Sequence, residues 1–126
     1  MFADTKAFSG FAVDDVRRAR EFYEGKLGIR TSESNGIMTL HLAGEGGERP
    51  TIVYPKAGHA PAEYTILNFS VDDIDVAVDG LSSRGVSMER YDGFDQDERG
   101  VFRGGGPYIA WFKDPAGNVL SVLQQR

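Results

Sequence analysis

The chain repeats itself. Residues 11–16 read F-A-V-D-D-V and residues 69–74 read F-S-V-D-D-I, the same pattern displaced by 58 residues. Within 126 residues, such a repeat restricts the fold to two similar halves, each one supersecondary unit. A short β-prone run precedes each copy, at residues 6–13 and 64–71, and a helical pattern follows it. After the first copy, Val16, Ala19, Phe22, Tyr23 and Leu27 share one face of a 3.6-residue period, opposite Arg17, Arg18, Arg20, Glu21 and Glu24. Ile74, Ala77, Val78 and Leu81 mark a shorter helix after the second copy, ending near Arg84 and Gly85. Asp14 with Asp15, and Asp72 with Asp73, stand where strand gives way to helix. There they cap free N–H groups and face the positive end of the helix dipole. Gly28 and Gly85 follow the periodic runs and end the helices.

Strand patterns separated by glycine and polar turns come next. Residues 28–32, 36–42 and 51–54 are the strands expected in the first half, divided by S-E-S-N-G and by A-G-E-G-G-E-R-P. Residues 86–91, 108–113 and 119–124 play the same parts in the second half. Each half therefore reads β-α-β-β-β, one α+β domain with a first module over residues 6–58 and a second over 62–126. The segment between Tyr91 and Pro107 is longer and rich in glycine and acid, the composition of a mobile loop beside a binding site.

Two such copies in tandem resemble the vicinal oxygen chelate superfamily, the glyoxalase, bleomycin resistance and extradiol dioxygenase group. The likeness covers nearly the whole chain. It is carried by F-A-V-D-D-V-R-R-A-R-E-F-Y-E-G-K-L-G at 11–28, similar to the strand, helix and F-Y-x-x-x-L-G signature that opens such domains. It is carried also by F-K-D-P-A-G-N-V-L at 112–120, which resembles the D-P-x-G-N hairpin before the family's last strand. The resemblance implies two modules forming a half-barrel mixed sheet around a concave cleft, a homodimer, and a divalent metal held from the first and last strands of each module. On this chain those metal positions fall on Phe8, Ile66, Ser121 and Val53. None of the four is an imidazole or a carboxylate, which such ions require at about 2 Å. Only His41 and His59 supply imidazole, with no H-x-H or H-x-x-x-H pairing between them. The expectation is a member of the family without a metal cofactor.

Composition removes other classes. A net charge of −5 with no cluster of Lys or Arg opposes binding to nucleic-acid phosphates. No apolar run approaches the roughly 18 residues that span a bilayer. No secretory pattern opens the chain, so a cytoplasmic location is expected. Zero cysteines exclude disulfides and thiolate chemistry. No serine lies in a G-x-S-x-G elbow, so acyl transfer lacks its usual parts. The run R-G-G-G-P at 103–107 leads into a strand and reads as a hinge. Asp92, Asp95, Asp97 and Glu98 do not follow calcium-loop spacing. His59, in a loop of Gly, Ala and Pro, is expected to be exposed.

Strand alternation from the carried-over positions puts Phe8, Gly10, Ile66, Asn68 and Ser121 on the concave face, joined by His41, Trp111 and either Tyr54 or Val53. Aromatic faces with a few polar groups suit a small organic ligand. The expected function is binding or sequestration of such a molecule by Phe8, His41, Tyr54, Ile66, Asn68, Trp111 and Ser121. His41 is also a candidate general base. The alternative is a metal-dependent lyase, isomerase or dioxygenase of the same superfamily with a rearranged divalent-metal site.

Overall fold

A computed structural model covers residues 1–126, and the chain divides at the boundary between the repeats: one unit is Met1–His59, the other Ala60–Arg126. In the first, β1 (Ser9–Val13) leads into α1 (Val16–Arg20), which continues as a π-helical turn (Glu21–Lys26). Three strands follow, β2 (Thr31–Ser34), β3 (Ile37–Gly44) and β4 (Gly47–Pro55), in the sheet order β1-β4-β3-β2. β1 runs parallel to β4 and the other pairs are antiparallel. A parallel pair cannot be closed by a hairpin, so the helix serves as part of the crossover. Asp15 caps it, accepting from the Arg18 N–H at 3.1 Å. The helix then widens: Leu27 N–H donates to the Phe22 carbonyl at 3.0 Å. In this wider turn adjacent Phe22 and Tyr23 are both buried. With Val13, Met38, Leu40 and Val53 they form the first core, each side chain contributing about 1.5–3 kcal/mol by its burial.

Both hairpins of this sheet have two-residue turns. Asn35 and Gly36 hold positive φ, 53° and 79°, the mirror-image turn whose twist matches paired strands. It sets Ser34 opposite Ile37 and Ser32 opposite Thr39. β3 and β4 close at Gly44 opposite Gly47. The expected turn through Pro50 is therefore shorter, and Glu48, Arg49 and Pro50 belong to β4. Proline is accommodated because no ladder bond needs its missing N–H. Its partner His41 donates instead to the Arg30 carbonyl, and β1 reaches only as far as Thr51.

The second unit contains β5 (Thr65–Ser70), α2 (Ile74–Ser83), β6 (Tyr108–Lys113) and β7 (Val119–Gln124), in the order β5-β7-β6. Asp73 caps α2 through the N–H groups of Asp75 and Val76. The Gln124 side chain accepts from Ile74 N–H at 2.9 Å, fixing the helix start to the last strand. Ile74, Val78, Val101, Ala110, Phe112 and Leu120 are buried. Asp114 closes the D-P-A-G-N turn, its carboxylate accepting from the N–H groups of Ala116 and Asn118, each at 2.9 Å.

Residues 86–91 do not form the expected strand, although Glu89 N–H reaches the Trp111 carbonyl at 2.7 Å. The Gln96 side chain competes for the same backbone: its amide accepts from Tyr91 N–H and donates to the carbonyls of Glu89 and Gly100. The segment after Tyr91 makes ion pairs with α2, Arg99 with Asp79 and Arg103 with Asp75, and Arg103 also pairs with Asp97 inside the segment. No helix is long and apolar enough to cross a membrane.

Candidate functional site

Strand register decides which side chains are free of each helix. In the first sheet Met38 and Val53 are paired, as are Leu40 and Thr51, and all four are buried with the helix. The opposite face carries Ser32, Thr39, His41, Glu48, Ile52 and Tyr54. Of the two residues offered for β4, Tyr54 therefore lies on this face and Val53 does not. Gly10 pairs with Ile52 as Asn68 pairs with Ser121, so the counterpart of Ser121 in the first repeat is Ile52. Phe8 precedes β1 and is 66% exposed.

His41 has a partner near each ring nitrogen. Its Nδ1 lies 3.1 Å from Glu48 Oε2, and its Nε2 lies 2.7 Å from Ser32 Oγ. The carboxylate beside Nδ1 favours a proton there, and in that neutral tautomer Nε2 is the acceptor for the Ser32 hydroxyl. Sequence reasoning singled out His41 but missed both partners. Ser32 was legible in principle, because the N-G turn sets Ser32 two residues along the register from His41. Glu48 was hidden inside what reads as a loop.

In the second sheet, Ser121 lies between Asn68 and Trp111 in the ladder. Its hydroxyl, wholly buried, donates to Asn68 Oδ1 at 2.6 Å. Trp111 is the centre of an aromatic cluster. Phe94 stacks on it at 5.4 Å with 26° between planes, Tyr91 meets it edge-on at 5.6 Å, and Phe102 lies at 6.4 Å. Phe94 remains half-exposed. Burial, then the neighbouring Glu89 carboxylate, raises the Tyr91 phenol above its ordinary value. Ile66 sits at a register shift between Thr65 and Leu67, outside the ladder that aligns Asn68 with Ser121. The first unit thus holds Phe8, His41 and Tyr54, and the second holds Ile66, Asn68, Trp111 and Ser121. Sequence reasoning missed Tyr91, Phe94 and Phe102; their spacing in a glycine-rich stretch has no period that marks a common face. His59 is half-buried rather than exposed, with its Nε2 covered and unpartnered.

The donor set does not fit the divalent ion that the fold family implies. Phe8, Ile52 and Ile66 offer no lone pair, and Ser121 is already committed to Asn68. No three His, Cys, Asp or Glu side chains converge anywhere in the chain, whereas such ions take three or four.

The sequence profile of the Glyoxalase/Bleomycin resistance protein/Dioxygenase superfamily matches residues 7–122. A Vibrio parahaemolyticus protein named as a probable lactoylglutathione lyase is 26% identical over 125 residues, 90% of this chain and 86% of its own. Among solved structures, a glyoxalase family protein from Bacillus anthracis superimposes with a TM-score of 0.71 at 17% identity, covering 100% of both chains. An antibiotic binding protein from a Streptomyces species superimposes with a TM-score of 0.65 at 22% identity, covering 98% of both. With two repeats of strand, helix and sheet, and a profile match over nearly its whole length, the chain belongs to the glyoxalase, bleomycin resistance protein and dioxygenase superfamily.

Proposed function

We propose that this chain binds and sequesters a small organic molecule with a flat apolar part, without a metal ion. The observation that carries the reading is the aromatic cluster on β6: Phe94 stacked on Trp111 and half-exposed, beside the Ser121 and Asn68 pair. Stacked rings present a large apolar area at low entropy cost. Asn68 uses its oxygen for Ser121, which leaves its amide nitrogen as the donor that orients a ligand. The likeness to an antibiotic binding protein supports the same reading. The family resemblance supports a homodimer as the working form.

Trp111 is the single tryptophan, so its fluorescence reports on this face alone. Titration with acridine, quinoline and naphthalene derivatives is expected to give saturable quenching and a rise in melting temperature, equivalent to about 2.7 kcal/mol at a hundredfold excess over Kd. Trp111→Leu and Asn68→Ala should weaken the thermal shift. If none of the three ring classes saturates, the sequestration reading fails.

A further inference from the structure

The Ser32, His41 and Glu48 chain lies in the first unit and is independent of the ligand reading above. We propose that it is a nucleophilic serine site, which forms an acyl-enzyme with small activated carboxylic esters. Three observations converge. A hydroxyl is hydrogen-bonded to one ring nitrogen of an imidazole at 2.7 Å, and a carboxylate oxygen lies 3.1 Å from the opposite ring nitrogen. This is the arrangement that lets a histidine take a serine proton while a carboxylate holds the ring tautomer. Ser32 is exposed, so a substrate can reach its Oγ. Finally, β2 is an edge strand whose single neighbour is β3. His41 N–H bonds the Arg30 carbonyl, which sets the phase: Arg30, Ser32 and Ser34 turn their backbone groups to β3, and Thr31 and Glu33 turn theirs to the open edge. The N–H of Glu33, immediately after the nucleophile, is left as a donor for the oxyanion.

The chemistry balances with water as the second reactant. Ser32 Oγ bonds to the ester carbonyl carbon as His41 Nε2 takes its proton, and the carbonyl oxygen becomes an oxyanion. Collapse breaks the bond to the alcohol oxygen, which leaves with the proton from His41. Water, deprotonated by the same nitrogen, then attacks the acyl-serine; the acyl–Oγ bond breaks, His41 returns the proton to Ser32 Oγ, and the acid is released. Ser32 and His41 are the catalytic pair, and Glu48 is a positioning residue.

The alternative role is a surface tie between adjacent strands, and covalent labelling separates the two. The full chain is treated with a fluorophosphonate and mapped by peptide mass. The expected result is one adduct, on Ser32, absent in Ser32→Ala and slowed by about 100-fold or more in His41→Gln. p-Nitrophenyl acetate should give an acetyl-Ser32 species of the matching mass. Glu48→Ala should slow labelling by at least about tenfold and shift the His41 ring nitrogen resonances away from the Nδ1–H tautomer. Circular dichroism and melting temperature are followed alongside to confirm that each variant folds. Absence of an adduct on Ser32 in the folded chain, or labelling that persists unchanged in folded His41→Gln, overturns the proposal.

Discussion

Gly10 and Asn68 occupy the same place in the two repeats, and what surrounds them differs. A Cβ at Gly10 would stand 2.6 Å from Ile52 Cγ1 and 3.2 Å from its carbonyl oxygen, so in the first unit the isoleucine fills the space a side chain would need. In the second, Asn68 projects there and meets Ser121. The two repeats therefore share the pairing, while the polar contact is present in one of them. Charge is also local. Burial works to raise the Asp97 carboxyl, but donation from Val101 N–H, the Arg103 guanidinium and Arg99 N–H outweighs it, and the group is held below its ordinary value. A carboxylate depressed on folding contributes stability above its unfolded pKa, and that contribution disappears as pH falls through the folded value. Asp97→Asn should lower the melting temperature at neutral pH and flatten its decline between about pH 5 and 2. Thermal melts across that range check both. At this scale the caps Asp15 and Asp73 were legible, because capping depends on neighbours two or three residues away. The Ser32 bond to His41 and the approach of Glu48 were not, since they depend on strand register.

Among the elements, the segment between α2 and β6 departs furthest from what its sequence suggests. Residues 86–91 have a strand's composition, yet one glutamine redirects their hydrogen bonds. Gln96 satisfies Tyr91 N–H and the carbonyls of Glu89 and Gly100, a non-local competition that no periodicity encodes. Its effect is to bring Tyr91, Phe94 and Phe102 around Trp111. Gln96→Ala would leave three backbone groups seeking water, at a cost of about 1–3 kcal/mol. Hydrogen exchange should quicken at Tyr91 and across residues 91–103, and Trp111 emission should shift to the red as the rings separate. β2, β3 and β4 were easier to find, because glycine turns separate them. Their ends were misplaced where E-R-P, a turn-like sequence, runs on as strand.

Across the whole chain, the displaced F-x-V-D-D motif marks both repeats in the sequence itself, because a duplicated backbone preserves its caps and its core spacing. Function is less legible at this scale, since members of one fold differ through a few side chains on the sheet faces. The 26% identity to a protein named as a probable lactoylglutathione lyase makes metal content the property that separates the two readings. Stoichiometric metal requires three or four donors, and the family's positions here hold Phe8, Ile52, Ile66 and Ser121. After incubation with nickel, zinc, iron and manganese and then desalting, elemental analysis should find well under one metal per chain, and His41→Ala should change nothing. A retained equivalent lost in His41→Ala would place a rearranged centre at that histidine. It would also replace metal-free sequestration with metal-dependent lyase, isomerase or dioxygenase chemistry, and it would remove the serine site, because an ion there would compete with Ser32 and Glu48 for the ring nitrogens they face.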